Sequence, residues 1–481
     1  MRVTRPRVGV LQGALLQHIF KLLRVDIVGS ALFSMIIWLA MLAIDPFGIE
    51  KATGAGSRTL YQRVLAPFYP TAHQSEIAVV LISDDDIPLV EGGHKAWPPR
   101  FSEYATLLRN LQGRTGARPA AVFVDLLLDN QHNEDTTLPD LCEAIAETEA
   151  LGVPVFFASV PNQSAATGPE YDHALIVDLC PHKVRLGGAG WVSDEGDYPL
   201  TTTIGGRREL TAAAALYEHH LIRSDDQGRI SDFEKRIAEE VELSVQWGGQ
   251  APVDDPSCAN LGSTLSERVL AALRIVFAGS GLAGDKRGEF ERVQPCLFHR
   301  VLPGGFVARA SPFDKAGIDQ EFSGATIFIG ASIRGIPDIL TSPVHGVAPG
   351  VFEHAMALDN LFNFGSRFYR DAPQFNLGGY SLPQDSIIQA ALILLLALWL
   401  RSIDGPRLYP RTIAGYALAF ANKTTIAAAF AALIVVAIAV SHFVFRFEPF
   451  NWGSIISIGM IMIYTKRFRH TDSPGQPVAE A

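Results

Sequence analysis

Two hydrophobic patterns divide the chain. Four runs, Ile27–Ile44, Ser386–Leu400, Thr424–Phe445 and Trp452–Thr465, contain no Asp, Glu, Lys or Arg. As a helix, Ile27–Ile44 rises about 27 Å, enough to cross a bilayer core. Thr424–Phe445 is longer still. Ser386–Leu400 and Trp452–Thr465 are short, and by length alone each equally fits a buried core helix. Between the first run and the second the pattern changes. Short apolar strands there alternate with amphipathic helical stretches and with Gly- and Pro-bearing loops.

Ile77–Ile82 and Ala120–Val124 are continuous apolar runs, the mark of strands buried on both faces. Val153–Ala158 is a third. Arg100–Leu111 and Leu138–Ala150 have helical spacing and lie between these strands. Strand, helix, strand, helix, strand at this spacing predicts a parallel sheet with crossover helices. Leu60–Phe68 reads as a helical linker, Leu210–Leu221 as an Ala-rich helix and Val241–Trp247 as an alternating strand. Gly248–Gly262 and Phe277–Pro303 read as loops. Gly324–Phe364 is the most informative stretch, with a strand (Ala325–Ile329) closed by Gly330, a polar loop, and a helix (Val351–Phe362). The fold class expected is α/β, with a mostly parallel sheet in an extracytoplasmic domain, plus four transmembrane helices, one N-terminal and three C-terminal.

Charge assigns sides to these elements. Residues 1–25 hold Arg2, Arg5, Arg7, Lys21 and Arg24 without an acid. Arg401, Arg407, Arg411 and Lys423 stand against Asp404 alone, and the tail opens with Lys466, Arg467 and Arg469. By the positive-inside rule these three segments are cytoplasmic. The chain then divides into a basic arm (1–25), a span (26–45), an extracytoplasmic domain (46–384), three spans (385–465) and a tail (466–481). A cleaved signal peptide is the competing reading of the first run, but no small-x-small site precedes Asp45. The partners expected are the lipid bilayer and an extracytoplasmic ligand, with a second copy of the chain left open. A net charge of −10 argues against nucleic acid.

Candidate chemistry gathers at strand ends. Asp84, Asp85, Asp86 and Asp125 follow two strands that the order places as neighbours, on the carboxyl edge where α/β sheets bind ligands. Acids at such positions cap turns and helices. They also suit Ca²⁺ or Mg²⁺ through oxygen ligands, or metal-assisted hydrolysis. Arg100, after Trp97-Pro98-Pro99 at a helix entry, is a clamp for Asp84–Asp86 or an anchor for a carboxylate ligand. Asp338 and His345 flank the polar loop, and His354 lies just beyond it. No activated Ser–His pair, phosphate-cradling glycine loop or zinc-binding His motif is evident. No catalytic residue and no cofactor is therefore expected, a divalent cation excepted, and an envelope-anchored metal-dependent hydrolase using the Asp84–Asp86 and Asp125 cluster is the alternative. A transporter component is disfavoured, because the four runs hold no acid or base at their centres.

The four cysteines, Cys142, Cys180, Cys258 and Cys296, all lie in the outside segment, where disulfides are the default. Four cysteines allow three connectivities. Cys258 with Cys296, and Cys142 with Cys180, are the expected pairs.

Several stretches carry a resemblance. Gly330-Ala331-Ser332, Asp338, Ser342-Pro343, Pro349-Gly350-Val351, His354-Ala355 and Asp359-Asn360 follow in one order. Upstream come Ser83-Asp84-Asp85-Asp86, Gly92-Gly93, Trp97-Pro98 and Arg100. Gly116-Ala117 with Phe123-Val124-Asp125, and Asp194-Glu195-Gly196 with Pro199-Leu200, complete the set. Together they resemble the CHASE sensory domain of the second type (cyclase/histidine-kinase-associated sensory extracellular domain), nearly from end to end. One span before the domain and three after it is similar too. The resemblance implies a bacterial inner-membrane receptor whose periplasmic domain receives a signal, with an output unit after the last span. Here only a short tail follows Thr465, so the expectation is a separately encoded cytoplasmic effector. It would be met by the arm, where Leu11, Leu15, Ile19 and Leu22 have near-helical spacing, and by the loop 401–423.

Overall fold

The computed structural model describes residues 49–86, 97–114, 116–128, 135–160, 180, 184–190, 197–204, 206–252, 264–279, 297–334, 338–377, 380–402, 413–448 and 451–465. The chain divides into two compact units. One is Thr59–Asp371, and the other comprises Met1–Arg58 with Ala372–Ala481.

The first unit is built on a six-stranded sheet. Its strands are β1 (Ile77–Ser83), β2 (Ala121–Val124), β3 (Val155–Ser159), β4 (Arg185–Gly188), β7 (Arg300–Pro303) and β8 (Thr326–Ser332), with β5 (Thr201–Ile204) and β6 (Arg207–Leu210) forming a separate hairpin. The sheet order is β4-β3-β2-β8-β1-β7, and every pair is parallel. Helix α1 (Ile49–Leu65) precedes the sheet. Helices α2 (Phe101–Leu111) and α3 (Leu138–Ala150) cross over on one face, as the spacing predicts.

Period-two alternation sorts the strand residues between two cores. Val80, Ile82, Val122, Val124, Phe157, Ile327 and Ile329 pack with Phe101, Leu108 and Leu141 on one face. Val79, Phe123, Phe156 and Phe328 pack on the other, with α4 (Ala212–Ser224) and α9 (Val351–Phe364). With both faces covered, the central strands have no polar side to show, so they read as unbroken apolar runs. Helices α5 (Gln227–Ala238), α6 (Leu265–Gly279), α7 (Gly304–Ala308) and α8 (Pro312–Phe322) are the other α-helices among the described residues of this unit.

Four sequence expectations change, the first being Phe277–Pro303, which was read as a loop but begins in the end of α6 and closes with β7. The two acid-tipped strands are not neighbours, because β8 lies between β1 and β2. The loop after β8 contains a hairpin, β9 (Ile339–Ser342) with β10 (Gly346–Pro349). Val241–Trp247 forms no strand, only an isolated bridge from Leu243 to Tyr198. Cys142 and Cys180 are joined, with Cα atoms 5.3 Å apart. Cys258 and Cys296 lie outside the described residues, as does the run Ile27–Ile44.

The second unit contains a small hairpin, β11 (Gln374–Leu377) with β12 (Tyr380–Pro383), then α10 (Gln384–Ser402), α11 (Ile413–Val440) and α12 (Trp452–Thr465). Leu392, Leu396, Ile426, Phe430, Ile434, Ile455 and Ile463 form its core. Outward faces carry Leu395, Leu398, Val435 and Val436, all exposed. Among the described residues one helix, Thr424–Phe445, is long and apolar enough to cross a membrane, and Ile387–Trp399 is a shorter apolar helix. The expectation of four spans is thus met at one helix by this measure.

Candidate functional site

The carboxyl edge of the sheet separates the predicted acids into different roles. Asp86 folds back on its own turn, accepting from the backbone N–H of Ser83 at 2.9 Å and the Ser83 hydroxyl at 2.8 Å. It is a turn cap. Asp84 accepts from Nε of Arg334, at the end of β8, at 2.7 Å, while Asp85 is exposed. Arg100 is exposed, and its charge favours ionised Asp135, a carboxylate that also caps α2 through the Phe101 N–H at 2.9 Å. Burial raises the Asp135 pKa, but hydrogen bonds from Thr137 and Phe101 more than offset this and hold it low. The structure therefore gives Asp84 the partner Arg334, which the sequence reading did not name.

Asp125 sits apart from these acids. Its backbone N–H donates to Ile329 O at 2.8 Å, which locks the end of β2 against β8. Two strand spacings of about 4.8 Å separate the β1 and β2 positions, so Asp125 does not share a site with Asp84–Asp86. Its carboxylate lies instead by His354 near the start of α9, where Asp338 stands beside Gly350 and Glu353 falls in the first turn. Gly330 permits this approach, since a Cβ there would fall 2.6 Å from the Val351 side chain. Gly350 does the same, because its Cβ would fall 2.1 Å from Asp338 Oδ1.

The charges of Asp338 and Glu353 act on Asp125, and that of Asp338 acts on Glu353. Burial pushes Asp125 well above the usual carboxylate range, and the charges of Asp338 and Glu353 push it further. Burial raises Asp338 as well. Burial, and then Asp338, push Glu353 up to about 7. His354 gives no counter-charge, because burial holds its pKa down at about 3. Its Nδ1 lies 2.8 Å from the Tyr198 hydroxyl, which also accepts from the Ala213 N–H at 3.0 Å. Its Nε2 lies 3.7 Å from Asp125 Oδ1, too far for a hydrogen bond.

His345 belongs elsewhere. Its Nε2 lies 2.9 Å from Gly248 O, and its backbone N–H donates to the Ser342 hydroxyl at 3.1 Å, so it fastens the turn of the β9–β10 hairpin. A second buried polar group centres on Asp359. Asp359 accepts from the Tyr69 hydroxyl and from the Asn363 amide, both at 2.6 Å, and Oδ2 lies 3.2 Å from His299 Nε2. Asn360 donates to Tyr69 and to Gln246 O. The Asp359-Asn360 pair noted in the sequence is therefore a fastening inside the core. Glu353 was missed because a glutamate in a first helical turn reads as a solvated face, and only the fold shows the carboxyls opposite it.

Glu353 gives the unit a pH dependence of definite sign. Its folded pKa lies above its unfolded value, so the folded chain keeps a proton through the window from about 4.5 to about 7. Stability then falls as pH rises through that window, by about 3 kcal/mol in full. Glu353→Gln is expected to raise the thermal midpoint at about pH 8 and to flatten its decline between about pH 5 and about pH 8. An unchanged pH profile would place Glu353 in solvent.

A fully parallel sheet with acids at its carboxyl edge defines the class, an α/β domain, in a chain that also carries one helix apolar enough to cross a membrane. The CHASE2 domain model matches residues 36–399, and the chain belongs to that family of sensory extracellular domains. The recognition made from the sequence motifs therefore holds. No curated protein and no solved structure matches the chain.

Proposed function

We propose that the chain is the signal-input component of a multi-pass inner-membrane receptor and is not an enzyme. Its periplasmic α/β domain takes up a ligand at the Asp125–Asp338–Glu353 basin and passes the signal through four spans to a separately encoded cytoplasmic effector. Membership of the CHASE2 family carries this reading, since the match at residues 36–399 takes in both the α/β unit and the apolar helix Ile387–Trp399. The basin supplies a place for the ligand. A ligand transmits a signal only if it favours one arrangement of the spans over another. The metal-dependent hydrolase alternative has less support, because Asp84 is paired with Arg334 and Asp86 caps its own turn.

Alkaline phosphatase fused after Gly378 is expected to be active, and fused after Arg469 inactive. The opposite pattern would overturn the topology and the receptor with it.

A further inference from the structure

Helix α6 (Leu265–Gly279) is apolar on two sides. It packs against the turn Ala66–Phe68 just after α1, with Ala272 buried and Ala271 and Ile275 half-buried. At 3.6 residues per turn, Leu265, Val269 and Leu273 line up as a stripe on another side, and Leu270 stands beside it. These side chains are open to solvent, Leu265 at 72%, Val269 at 43%, and Leu270 and Leu273 both at 47%. A helix that is apolar on two sides is normally covered on both.

The charges on α6 narrow what covers the stripe. Glu267 and Arg274 stand about two turns apart along one edge of it. A capping box holds Glu267 in place. The Thr264 N–H donates to its Oε2 at 3.0 Å, and its own N–H donates to the Thr264 hydroxyl at 3.3 Å. The carboxylate keeps lone pairs for a further donor. A second α6, reversed about a two-fold axis between Leu270 and Ala271, lays its stripe on the first. The same operation sets Arg274 of each copy opposite Glu267 of the other, since edge charges fix orientation in paired helices. Lipid fits less well, because a helix lying on a bilayer carries a basic polar face, and this one includes an acid. The neighbouring sequence also fits less well, with Asp254 and Asp255 on one side and Asp285, Lys286, Arg287, Glu289, Glu291 and Arg292 on the other.

We propose that α6 is a homodimer interface, in which two copies of the chain pair their Leu265–Val269–Leu273 stripes antiparallel. One helix of about 22 Å buries less than a standard interface. Two chains anchored in one bilayer make up the difference by proximity, so the inference rests on the membrane reading. The axis passes beside the turn that ends α1, which brings the entry segments of two chains together.

The test is crosslinking of the full chain in membranes with a short bis-maleimide, with the wild type and its native cysteines as background. In the antiparallel register a residue at 269 lies about 4–5 Å along the axis from its own copy, and one at 265 about 16 Å. Val269→Cys is therefore expected to give a band of two chains well above background. Leu265→Cys, although more exposed, is expected to stay at background. Adding Leu273→Glu to Val269→Cys is expected to cut the band about tenfold, as for a charge set into an interface core. Adding Arg274→Glu should cut it about fivefold, and Glu267→Lys together with Arg274→Glu should restore it. Thermal midpoints show that each variant is folded. Val269→Cys at background, equal bands from Val269→Cys and Leu265→Cys, or a band indifferent to Leu273→Glu would overturn the interface. The phosphatase fusions read topology without this contact, so the two readings fail separately.

Discussion

Asp359→Ala is expected to destabilise the α/β unit by about 3–5 kcal/mol, the range for breaking a buried charged contact. Asp359 and His299 are both wholly inaccessible to solvent. The carboxylate accepts from Tyr69 and Asn363 and stands beside His299, so truncation strips three groups of an acceptor at once. Each buried donor left unsatisfied costs about 1–3 kcal/mol. Burial, and then the Asp359 charge, hold the Tyr69 pKa well above its usual value, so the phenol stays a donor at every working pH. Tyr69→Phe removes one hydrogen bond and should cost about 1–2 kcal/mol. Denaturant unfolding of the full chain, followed by tryptophan fluorescence, reads both. A loss under about 1 kcal/mol for Asp359→Ala would show that the network carries little of the stability.

Loss of the Cys142–Cys180 bond ranks beside it. The bond ties α3 to the segment just ahead of β4 and closes a loop of sequence separation 38. Loop-closure entropy puts its contribution at about 4 kcal/mol. Cys142→Ser should lower stability by that order, and a reductant should do the same to the native chain. Cys142 is buried in the core that also holds Leu141, Ile145 and Val155, so serine also places a hydroxyl in an apolar core. Comparing Cys142→Ser with Cys142→Ala separates this burial cost from the loss of the crosslink. Equal stability of reduced and oxidised native chain would mean that the crosslink constrains nothing.

The central strands and crossover helices were legible because burial on both faces leaves an unmixed apolar signal. Ile77–Ile82 and Ala120–Val124 differ from the observed β1 and β2 by about one residue at an end, within the usual uncertainty of boundaries. Strands β4 and β7 were not legible. Each is four residues long, at an edge of the sheet, and opens with an arginine. The strand order was also hidden, since adjacency in sequence favoured pairing β1 with β2, whereas β8 enters between them. That misplacement joined Asp125 to Asp84–Asp86 in one imagined cluster. The basin the structure does form draws on residues far apart in sequence, and Glu353 has no local mark. The Cys142–Cys180 pair was the exception, a long-range contact expected from the oxidising compartment and from pairing Cys258 with Cys296.

The place of β8 also governs how the unit comes into being. It is the central strand, paired with both β1 and β2, yet it begins at Thr326, long after β2 has ended at Val124. A chain growing from its N-terminus holds two halves of a sheet with nothing to join them until most of the domain has been made. Ile77–Ser83 in particular waits for both of its partners, since β7 is late as well. Contacts so distant in sequence make folding slow and leave apolar strand edges open meanwhile. Assembly of this unit therefore follows synthesis rather than accompanying it, and a fragment ending before Thr326 should be insoluble, because the strand that joins its halves is missing.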